Sequence, residues 1–334
     1  SRSALAAVRA LAEAGYRPLV ARSGRWSLAA ASRYNTRTVD VGPIASNGYA
    51  DAIGRIAREL DAATVFPSSD AALESLHVPV GHLLDKSRLI AEARRAGFAV
   101  PDTKIFQTLG ELQAAAGSLP YPIVIKQPVS RVPVRQVANA TELTPLLDTT
   151  GPVLVQPFMS EPLRAVGGVV WGGRLVAAVH QRYLRTWPLD CGTASAAITV
   201  EGDPDVERRL VALLDGYDGV FQAQFAGEHL LDLNPRVYGS LPLAVAAGVN
   251  LPGIAVALAR GADVESVRAR PGVAYRWVEG DLRALMALVR ARRLGAAAAL
   301  RAIAPRRDTA HSVASIRDPK PLLTRLGYVV RGRR

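Results

Sequence analysis

Cysteine and long apolar runs are scarce in this sequence, and each scarcity narrows what the protein can be. Cys191 is the only cysteine among 334 residues, which excludes an intramolecular disulfide framework and fits a reducing compartment. No apolar run is long enough to cross a bilayer. The first residues, Ser1 to Leu5, lack the apolar core of a signal peptide and an initiator methionine. The sequence therefore predicts a cytoplasmic protein with a trimmed start.

Acidic residues are too few to balance the basic ones. The formal net charge is +12, from 41 lysines and arginines against 29 aspartates and glutamates. A basic surface often binds nucleic acid or anionic membrane. Here the arginines are spread along the whole chain, and aromatic residues make up only 6%. We interpret the charge as solvated helix faces and predict no nucleic-acid partner. A polyanionic substrate or peripheral contact with acidic lipid stays open as an alternative.

Short strands and helices alternate through the first 80 residues. Helices are predicted at 3–14 and 49–60, and strands at 17–21, 38–41 and 63–67. This alternation is typical of a small parallel α/β domain. Such a domain normally begins with a strand, whereas this chain begins with a helix. We therefore expect the leading strand of the domain to be missing.

After residue 84 the pattern favours an α+β organisation with a cleft between two subdomains. Strands are predicted at 103–106, 122–126, 134–137, 153–156, 163–170, 174–184, 194–200, 219–225, 229–233 and 273–277. Helices are predicted from Lys86 towards Gly97 and at 141–147, 205–215, 240–247, 252–260, 279–293 and onward to about 302, with an extended segment at 305–323. The predicted domains are an N-terminal domain at 1–80, a small subdomain at 81–158, a larger one at 159–265, and a C-terminal extension with a basic tail at 266–334.

The run from Leu230 to Arg236 places an acid, an amide and an arginine at alternate positions. Because a strand points alternate side chains to one face, Asp232, Asn234 and Arg236 are expected to lie together. Carboxylate and amide oxygens suit Mg²⁺, and a guanidinium suits a phosphate. A hairpin before this run would place Gln224 opposite the same face. The alternative is an amphipathic strand with a solvated face that turns at Asn234-Pro235.

Several further segments accompany this run in a definite order. They are Asp85-Lys86, Gly97 with Val100-Pro101-Asp102-Thr103, Tyr121-Pro122-Ile123-Val124-Ile125-Lys126, Val155-Gln156-Pro157-Phe158, Gln224-Phe225 and Asp232-Leu233-Asn234-Pro235-Arg236. Together they resemble the ATP-grasp superfamily, in its carbamoyl-phosphate-synthetase-like and carboxylate–amine-ligase branch. The resemblance covers residues from about 80 to about 260.

This resemblance implies a fold and a reaction. The fold would be α/β and α+β, an ATP-grasp fold preceded by a parallel α/β (pre-ATP-grasp) domain that lacks its first strand. The reaction would be an ADP-forming ligation, in which ATP converts a carboxylate to an acyl phosphate that an amine attacks. ATP and Mg²⁺, with Mn²⁺ as an alternative ion, are the implied cofactors. The implied partners are a small-molecule carboxylate and an amine, expected to be a small amino-acid-like metabolite, and homodimers are frequent in the superfamily.

The resemblance also implies roles for particular residues. Lys86 and Lys126 would bind phosphates; the linker of Gln156, Pro157, Phe158 and Met159 would read adenine; Glu161 would bind the ribose; Gln224, Asp232 and Asn234 would hold the metal; and Arg236 and Arg185 would contact the phosphoryl group or the substrate carboxylate. Each has a plainer alternative, such as a strand-end lysine, a surface lysine in a first helical turn or an exposed loop acid. Cys191 and His180 are interpreted as packed side chains rather than catalytic groups.

The segment after Lys126 departs from the family pattern. The superfamily usually carries a glycine-rich lid here, whereas residues 127–137 contain no glycine. Glycine lets backbone N–H groups approach phosphate closely, so either Arg131 or Arg135 would supply the charge instead, or the lid would be short and the phosphates less enclosed. This departure supports an alternative hypothesis, a nucleotide-binding scaffold with altered or lost catalysis. A basic protein that binds nucleic acid or membrane is the third hypothesis.

Overall fold

The computed structural model describes residues 1–129, 134–143, 151–304 and 308–331. The helices are α1 (Arg2–Glu13), α2 (Tyr49–Glu59), α3 (Asp70–Ser75), α4 (Lys86–Arg95), α5 (Leu109–Ala115), α6 (Ala140–Leu143), α7 (Pro204–Leu213), α8 (Leu241–Ala246), α9 (Leu251–Ala259), α10 (Val278–Arg290), α11 (Ala296–Ile303) and α12 (Lys320–Arg331). Short 3₁₀ helices span Pro79–Leu84 and Ala116–Ser118.

The strands form three sheets. They are β1 (Leu19–Arg22), β2 (Arg37–Asp40), β3 (Lys104–Phe106), β4 (Ile123–Lys126), β5 (Arg135–Val137), β6 (Val153–Pro157), β7 (Leu163–Trp171), β8 (Arg174–Trp187), β9 (Thr193–Val200), β10 (Gly219–Ala226), β11 (His229–Asn234), β12 (Val267–Arg268), β13 (Ala274–Arg276) and β14 (Thr309–His311). The domain boundaries expected from the sequence stay predictions.

The largest sheet carries most of the apolar core. Its order is β11-β10-β7-β8-β9-β13-β14, with β12 added to β8. Helices α4 and α7 cover one face, where Leu89 and Leu210 pack on Phe221. Helices α1, α8 and α9 cover the other face, where Ala7 and Leu241 contribute to a second core cluster. The apolar core of the protein therefore lies on both faces of this sheet.

A second, antiparallel sheet has the order β3-β6-β4-β5 and its own core. Leu112 of α5 and Leu143 of α6 pack against Ile123 and Val153 of this sheet. Strand β4 ends at Lys126, so this small sheet delivers a lysine to the side facing β11. The predicted helix at 141–147 is present as α6 up to Leu143, and the rest of it lies outside the described residues.

The N-terminal segment contains a two-stranded parallel sheet of β1 and β2, not three strands. The predicted strand at 63–67 is wrong: the structure assigns no strand to this segment. Its Val and Phe content favours a strand, but a strand also needs a neighbour for its backbone hydrogen bonds. The expected absence of a leading strand stays a prediction.

The C-terminal segment differs from the extended segment predicted at 305–323. Strand β14 pairs in parallel with β13, and helix α12 begins at Lys320. Pro321 lies in the first turn of α12. Proline is tolerated there because the N–H groups of a first turn lack intrahelical partners. Residues 305–307 lie outside the described part of the chain.

Asp318 ties this C-terminal segment to the start of the chain. Its carboxylate is fully buried and accepts hydrogen bonds from Arg9 Nε at 2.9 Å, Ser32 Oγ at 2.7 Å and the Arg33 N–H at 2.9 Å. A buried carboxylate must be satisfied by hydrogen bonds of this kind.

Among the described helices, none is long and apolar enough to cross a membrane.

Candidate functional site

A cleft with a volume of about 640 Å³ opens where the ends of β10 and β11 meet the β8–β9 hairpin. Arg2 and Asp70 of the N-terminal segment form another wall of the same cleft. Its polar floor comes from the two neighbouring strands and the loop that follows them. The residues of this floor are Gln222, Gln224, Asp232, Asn234, Arg236 and Tyr238.

Strand register explains why these side chains share the cleft. Strands β10 and β11 are antiparallel, and Gln224 pairs with Asp232 while Gln222 pairs with Asn234. Directly paired residues project to the same face of a sheet. The structure therefore brings Gln224, Asp232 and Asn234 together, as the sequence predicts.

The acidic, amide and guanidinium groups form a continuous chain of contacts. Asn234 Nδ2 donates to Asp232 Oδ2 at 3.3 Å, and an Arg236 Nη donates to Asn234 Oδ1 at 2.7 Å. Arg236 Nε also donates to Asp70 Oδ1 at 2.6 Å. Arg236 lies beyond the end of β11, so its position depends on these bonds rather than on strand alternation.

Lys86 stands at the first position of α4 because Asp85 caps this helix. The Asp85 side chain accepts hydrogen bonds from the Ser87 and Arg88 backbone N–H groups. Lys86 is buried, with Nζ 3.2 Å from Asp232 Oδ1. Its N–H also donates to the carbonyl of Pro128, in the segment after β4. The alternative of a surface lysine is therefore wrong.

Lys126 is also buried, at the end of β4. Its Nζ lies 3.5 Å from the carbonyl oxygen of Leu231. Burial lowers the pKa of Lys126 to about 8; the Asp232 carboxylate opposes this shift and the Lys86 ammonium adds to it. Neither lysine lines the cleft. Both lie behind Asp232, next to the small sheet.

The linker of residues 156–159, which begins at the end of β6, offers fewer free hydrogen-bonding groups to a base than the sequence predicts. Gln156 is buried, and its Nε2 donates to Thr103 Oγ1 at 2.7 Å. The Phe158 N–H donates to the Pro122 carbonyl at 2.9 Å, and Pro157 has no N–H. Met159 is then the linker residue whose N–H has no partner among the hydrogen bonds of the described residues. Reading of a base by this linker stays a prediction.

Arg185 does not line the cleft, so the predicted role of Arg185 at the substrate is wrong. Its Nε lies 2.6 Å and an Nη 3.1 Å from the two carboxylate oxygens of Asp281, which is buried. The Arg276 guanidinium contacts the same carboxylate. Irregular register between Tyr183 and Thr186 directs Tyr183 and not Arg185 to the cleft. Arg185 thus holds α10 on the sheet.

The remaining candidates lie around the site. Glu161 is exposed and packs beside Gly227 at the β10–β11 turn, so its role at a ribose stays a prediction. Arg131 lies outside the described residues, and Arg135 is exposed. His180 is buried with Nε2 3.1 Å from Glu207 Oε1, away from the cleft.

Cys191 lines the cleft from the β8–β9 hairpin. Burial raises the pKa of its thiol to about 11, Asp190 adds to this shift and Lys126 opposes it. A thiol with a raised pKa carries little thiolate at neutral pH, which agrees with a packed side chain rather than a nucleophile.

Sequence reasoning missed several cleft residues, among them Arg2 and Asp70. Asp70 begins α3, where Ser69 is the N-cap and accepts a hydrogen bond from the Ala72 N–H. The signal for Asp70 was the Ser68-Ser69-Asp70 run itself, a polar cluster after an apolar segment. Arg2 gave no signal, because an arginine in the first turn of a helix is ordinary.

The assembled groups have a clear chemical capacity. One carboxylate and two amide oxygens present hard ligands for a divalent cation, although the described residues contain no cluster of three or more His, Cys, Asp or Glu side chains. Two ammonium groups and a guanidinium surround these oxygens. The arrangement suits a cation that arrives together with a polyanion.

Comparisons with known proteins show which proteins the chain resembles. A family model described as ATP-grasp in the biosynthetic pathway with Ter operon matches residues 149–281. This range contains β7 to β11 and therefore the floor of the cleft. No curated protein matches the sequence.

Solved structures resemble the chain at low sequence identity. A biotin carboxylase from Campylobacter jejuni, described as a β-γ-ATP complex, has a TM-score of 0.58 and 16% identity, covering 79% of this chain and 70% of its own. N5-carboxyaminoimidazole synthetase from Staphylococcus aureus, complexed with ADP, has a TM-score of 0.63 and 11% identity, covering 82% and 78%. An L-amino acid ligase from Bacillus licheniformis has a TM-score of 0.53 and 15% identity over 68% of this chain and 63%, less than two thirds, of the ligase. These likenesses confirm the fold that the sequence motifs predict.

Proposed function

Because this chain has the ATP-grasp fold, we propose that it is an ATP-dependent, ADP-forming ligase that activates a carboxylate and joins it to an amine. The contact chain of Lys86, Asp232, Asn234 and Arg236 is the observation that carries the proposal. This chain of contacts brings a carboxylate, an amide and a guanidinium together at one cleft, with the Lys86 ammonium behind them. Two of the similar structures are described with an adenine nucleotide.

The residues present fit Mg²⁺-bound ATP. Asp232, Asn234 and Gln224 offer oxygens to the ion, while one formal negative charge among the three leaves most of its neutralisation to the phosphates, as is usual for Mg²⁺. Bound Mg²⁺-ATP would supply the phosphoryl group that makes the carboxylate reactive. Lys86 and Lys126 would neutralise the phosphates from behind Asp232.

The protein's part in such a reaction is positioning and charge stabilisation. Arg236 is fixed by Asp70 on one side and Asn234 on the other, so its guanidinium needs little reorganisation to bind an oxyanion. The ion pair with Asp70 offsets its charge only in part, and one carboxylate oxygen of Asp70 is not engaged by Arg236. The cleft can therefore stabilise negative charge that develops beside the metal ligands.

A substitution of Asp232 tests the proposal. Asp232→Ala removes the only carboxylate among the metal ligands, so ADP formation should fall by about a thousandfold, the scale seen when a central electrostatic group is removed. Glu228→Ala is the matched control, because Glu228 is an exposed acid in the same hairpin. Circular dichroism and thermal melting establish that both variants are folded. Turnover in Asp232→Ala equal to that of Glu228→Ala would remove the metal assignment.

Thermal-shift titration separates the proposal from its alternatives. A ligase should be stabilised by Mg²⁺-ATP and should release ADP only when an acid and an amine are added. A nucleotide-binding scaffold would show the stabilisation without ADP release. A nucleic-acid or membrane binder would show neither. The expected homodimer and cytoplasmic location stay predictions.

A further inference from the structure

The excess positive charge of the chain comes from one segment. Residues 266–334 hold 16 of the 41 lysines and arginines but only 4 of the 29 aspartates and glutamates. Their net charge therefore equals the +12 of the whole sequence, and residues 1–265 are neutral as a set. A concentration of charge of one sign on one part of a protein attracts a polyanionic partner to that part.

Ion pairs within the molecule use only part of this charge. The arginines of the segment that contact a carboxylate are Arg268, Arg276, Arg283, Arg293 and Arg325. Further basic side chains are exposed and form no ion pair in the described part of the chain, namely Arg290, Arg292, Arg301, Arg317 and Lys320. Because no neighbouring carboxylate offsets their charge, these side chains are available to a partner in the solvent.

Helix α12 packs on the protein with one side and turns leucines outward on the other. Pro321, Arg325 and Tyr328 follow one another at helical spacing and therefore lie on one side of α12. Pro321 is buried, and the Tyr328 ring meets the Trp26 ring with the two centroids 6.2 Å apart. The other side carries three leucines that are 37%, 63% and 54% exposed, Leu322, Leu323 and Leu326. Apolar side chains exposed together on one side of a helix indicate an interaction surface.

Helix α10 extends this apolar surface. Leu282 and Met286 lie one turn apart on α10 and are 39% and 51% exposed. Arg325 of α12 donates from Nε and an Nη to the Glu279 carboxylate at 2.9 and 3.0 Å. Glu279 lies three residues before Leu282 on α10, and Leu322 lies three residues before Arg325 on α12. Residues at this spacing are neighbours on a helix, so the ion pair brings the two apolar sets close together. We define the α10–α12 surface as Leu282, Met286, Leu322, Leu323 and Leu326.

The charge of the segment argues against two other occupants of this surface. A second copy of the chain would bring two segments of net charge +12 together, and like charges oppose that approach. Nucleic acid would match the charge, but its phosphates give exposed leucines nothing to pack against, and single strands are bound by stacking on aromatic side chains. An anionic lipid bilayer offers phosphate groups to the basic side chains and an apolar interior to the leucines.

From these observations we infer that the α10–α12 surface binds anionic lipid membranes peripherally, with α12 lying in the plane of the headgroups. Leu323 and Leu326 enter the boundary between headgroups and acyl chains. Arg317 and Lys320, just before and at the start of α12, contact the lipid phosphates. Helices that lie in a membrane interface combine an apolar face with basic residues beside it in this way. The inference goes beyond the proposed ligase function and does not depend on it.

Co-sedimentation with lipid vesicles tests the inference on the whole chain, without nucleotide. Vesicles of phosphatidylcholine alone are compared with vesicles that also contain about 30% phosphatidylglycerol, at a salt concentration of about 0.15 M. The protein should bind the anionic vesicles at least about tenfold more tightly than the neutral ones, because several basic side chains contribute. Equal binding to both kinds of vesicle, or no binding to the anionic ones, would overturn the inference.

A double variant, Leu323→Ser with Leu326→Ser, removes apolar area from α12 but no charge. It should weaken binding to the anionic vesicles by about 10- to 100-fold, because two leucines no longer leave water for the bilayer. Its melting temperature should stay that of wild type, since both side chains are exposed.

The matched control for the leucines is Leu19→Ser with Ile105→Ser. These side chains lie in β1 and β3 and are 39% and 45% exposed, so the control should bind as wild type does. Unchanged binding in the α12 variant, or an equal loss in both variants, would contradict the role of α12.

A triple variant, Arg301→Gln with Arg317→Gln and Lys320→Gln, tests the charge. It should weaken binding to the anionic vesicles by about 100-fold. The control removes three exposed basic side chains outside the segment, by Arg94→Gln with Lys104→Gln and Arg174→Gln, and should bind within about threefold of wild type. Equal weakening in the two triple variants would mean that net charge alone drives binding, and the inference would fail.

Two further measurements identify the other occupants. Self-association that Leu323→Ser with Leu326→Ser abolishes, without any binding to vesicles, would assign the surface to a second copy of the chain. Binding of double-stranded DNA that this variant leaves unchanged, again without vesicle binding, would assign the charge to nucleic acid. Either result would overturn the inference and leave the ligase proposal untouched.

Discussion

The ammonium group of Lys126 is buried, and this makes ligand binding at the site sensitive to pH. With its pKa lowered to about 8 by burial, it loses its charge at mildly alkaline pH. We predict that affinity for Mg²⁺-ATP is constant below about pH 7 and then weakens by up to about tenfold per pH unit above about pH 8. Equilibrium binding measured from about pH 6.5 to 9.5 checks this.

The Lys126→Arg variant is the control for the pH profile of Mg²⁺-ATP affinity, because a guanidinium keeps its charge throughout this range.

The stability of the protein should change with pH in the opposite sense. The pKa of Lys126 is about 8 in the folded protein against an ordinary value of 10.5, so the unfolded chain binds more protons between these values. The free energy of unfolding should therefore rise by about 3 kcal/mol from pH 8 to 10.5 relative to Lys126→Met. If the free energy of unfolding depended on pH in the same way in wild type and in Lys126→Met, the lowered pKa of Lys126 would be contradicted.

At the scale of elements, Asp281 fastens helix α10 to two strands. Its buried carboxylate binds Arg185 of β8 and Arg276 of β13. Asp281→Ala would leave two guanidinium groups without this partner, and we predict a loss of about 3 kcal/mol in the free energy of unfolding. Chemical denaturation measures the loss.

Glu279→Ala in the first turn of the same helix is the comparison for Asp281. Its partners Arg283 and Arg325 have side chains 42% and 33% exposed, so the loss should be only about 0.5 kcal/mol. If both variants lost the same amount, the buried ion pairs would not be what holds α10 in place.

The sequence predicts those elements whose own pattern is strong. The long strands β7 to β11 alternate or are continuously apolar, and helices such as α7 and α10 carry apolar residues at helical spacing, so all of them lie close to their predicted bounds. The segment at 63–67 fails because pairing depends on a neighbour that local sequence does not describe. Helix α12 differs from the predicted extended segment because Pro319 lies just before the helix and Pro321 lies in its first turn, where proline is tolerated.

For the whole molecule, Asp70 connects the N-terminal segment to the cleft. It holds Arg236, a residue 166 positions later in the chain. Asp70→Asn should loosen the guanidinium and lower kcat by about tenfold, the cost of one charge-assisted hydrogen bond, while the KM for ATP stays within about twofold. Asp263→Asn, a change at an exposed loop acid, is the control. A loss of kcat in both variants, or in neither, would contradict this coupling.

The site divides into parts that sequence can and cannot reveal. The positions of Asp232 and Asn234 can be predicted from the sequence because one strand places them on one face. The position of Gln224 can be predicted from the short hairpin that joins its strand to theirs. Asp70 and Arg2 reach the cleft only through tertiary contacts, with Arg2 bonding a residue 191 positions away. The ion pair of Arg185 cannot be predicted from any local pattern, because its partner Asp281 lies 96 positions downstream.

The hydrogen bonds to the buried Asp318 carboxylate have a consequence for how the chain folds during its synthesis. Its partners Arg9, Ser32 and Arg33 leave the ribosome about 285 to 309 positions before the carboxylate that they bind. Helix α1 also packs on α8 and α9, which are translated after it. Helix α1 must therefore wait, with its apolar face uncovered, until those helices and the segment around Asp318 have been translated. Nascent chains stalled before residue 318 should expose that face to chaperones.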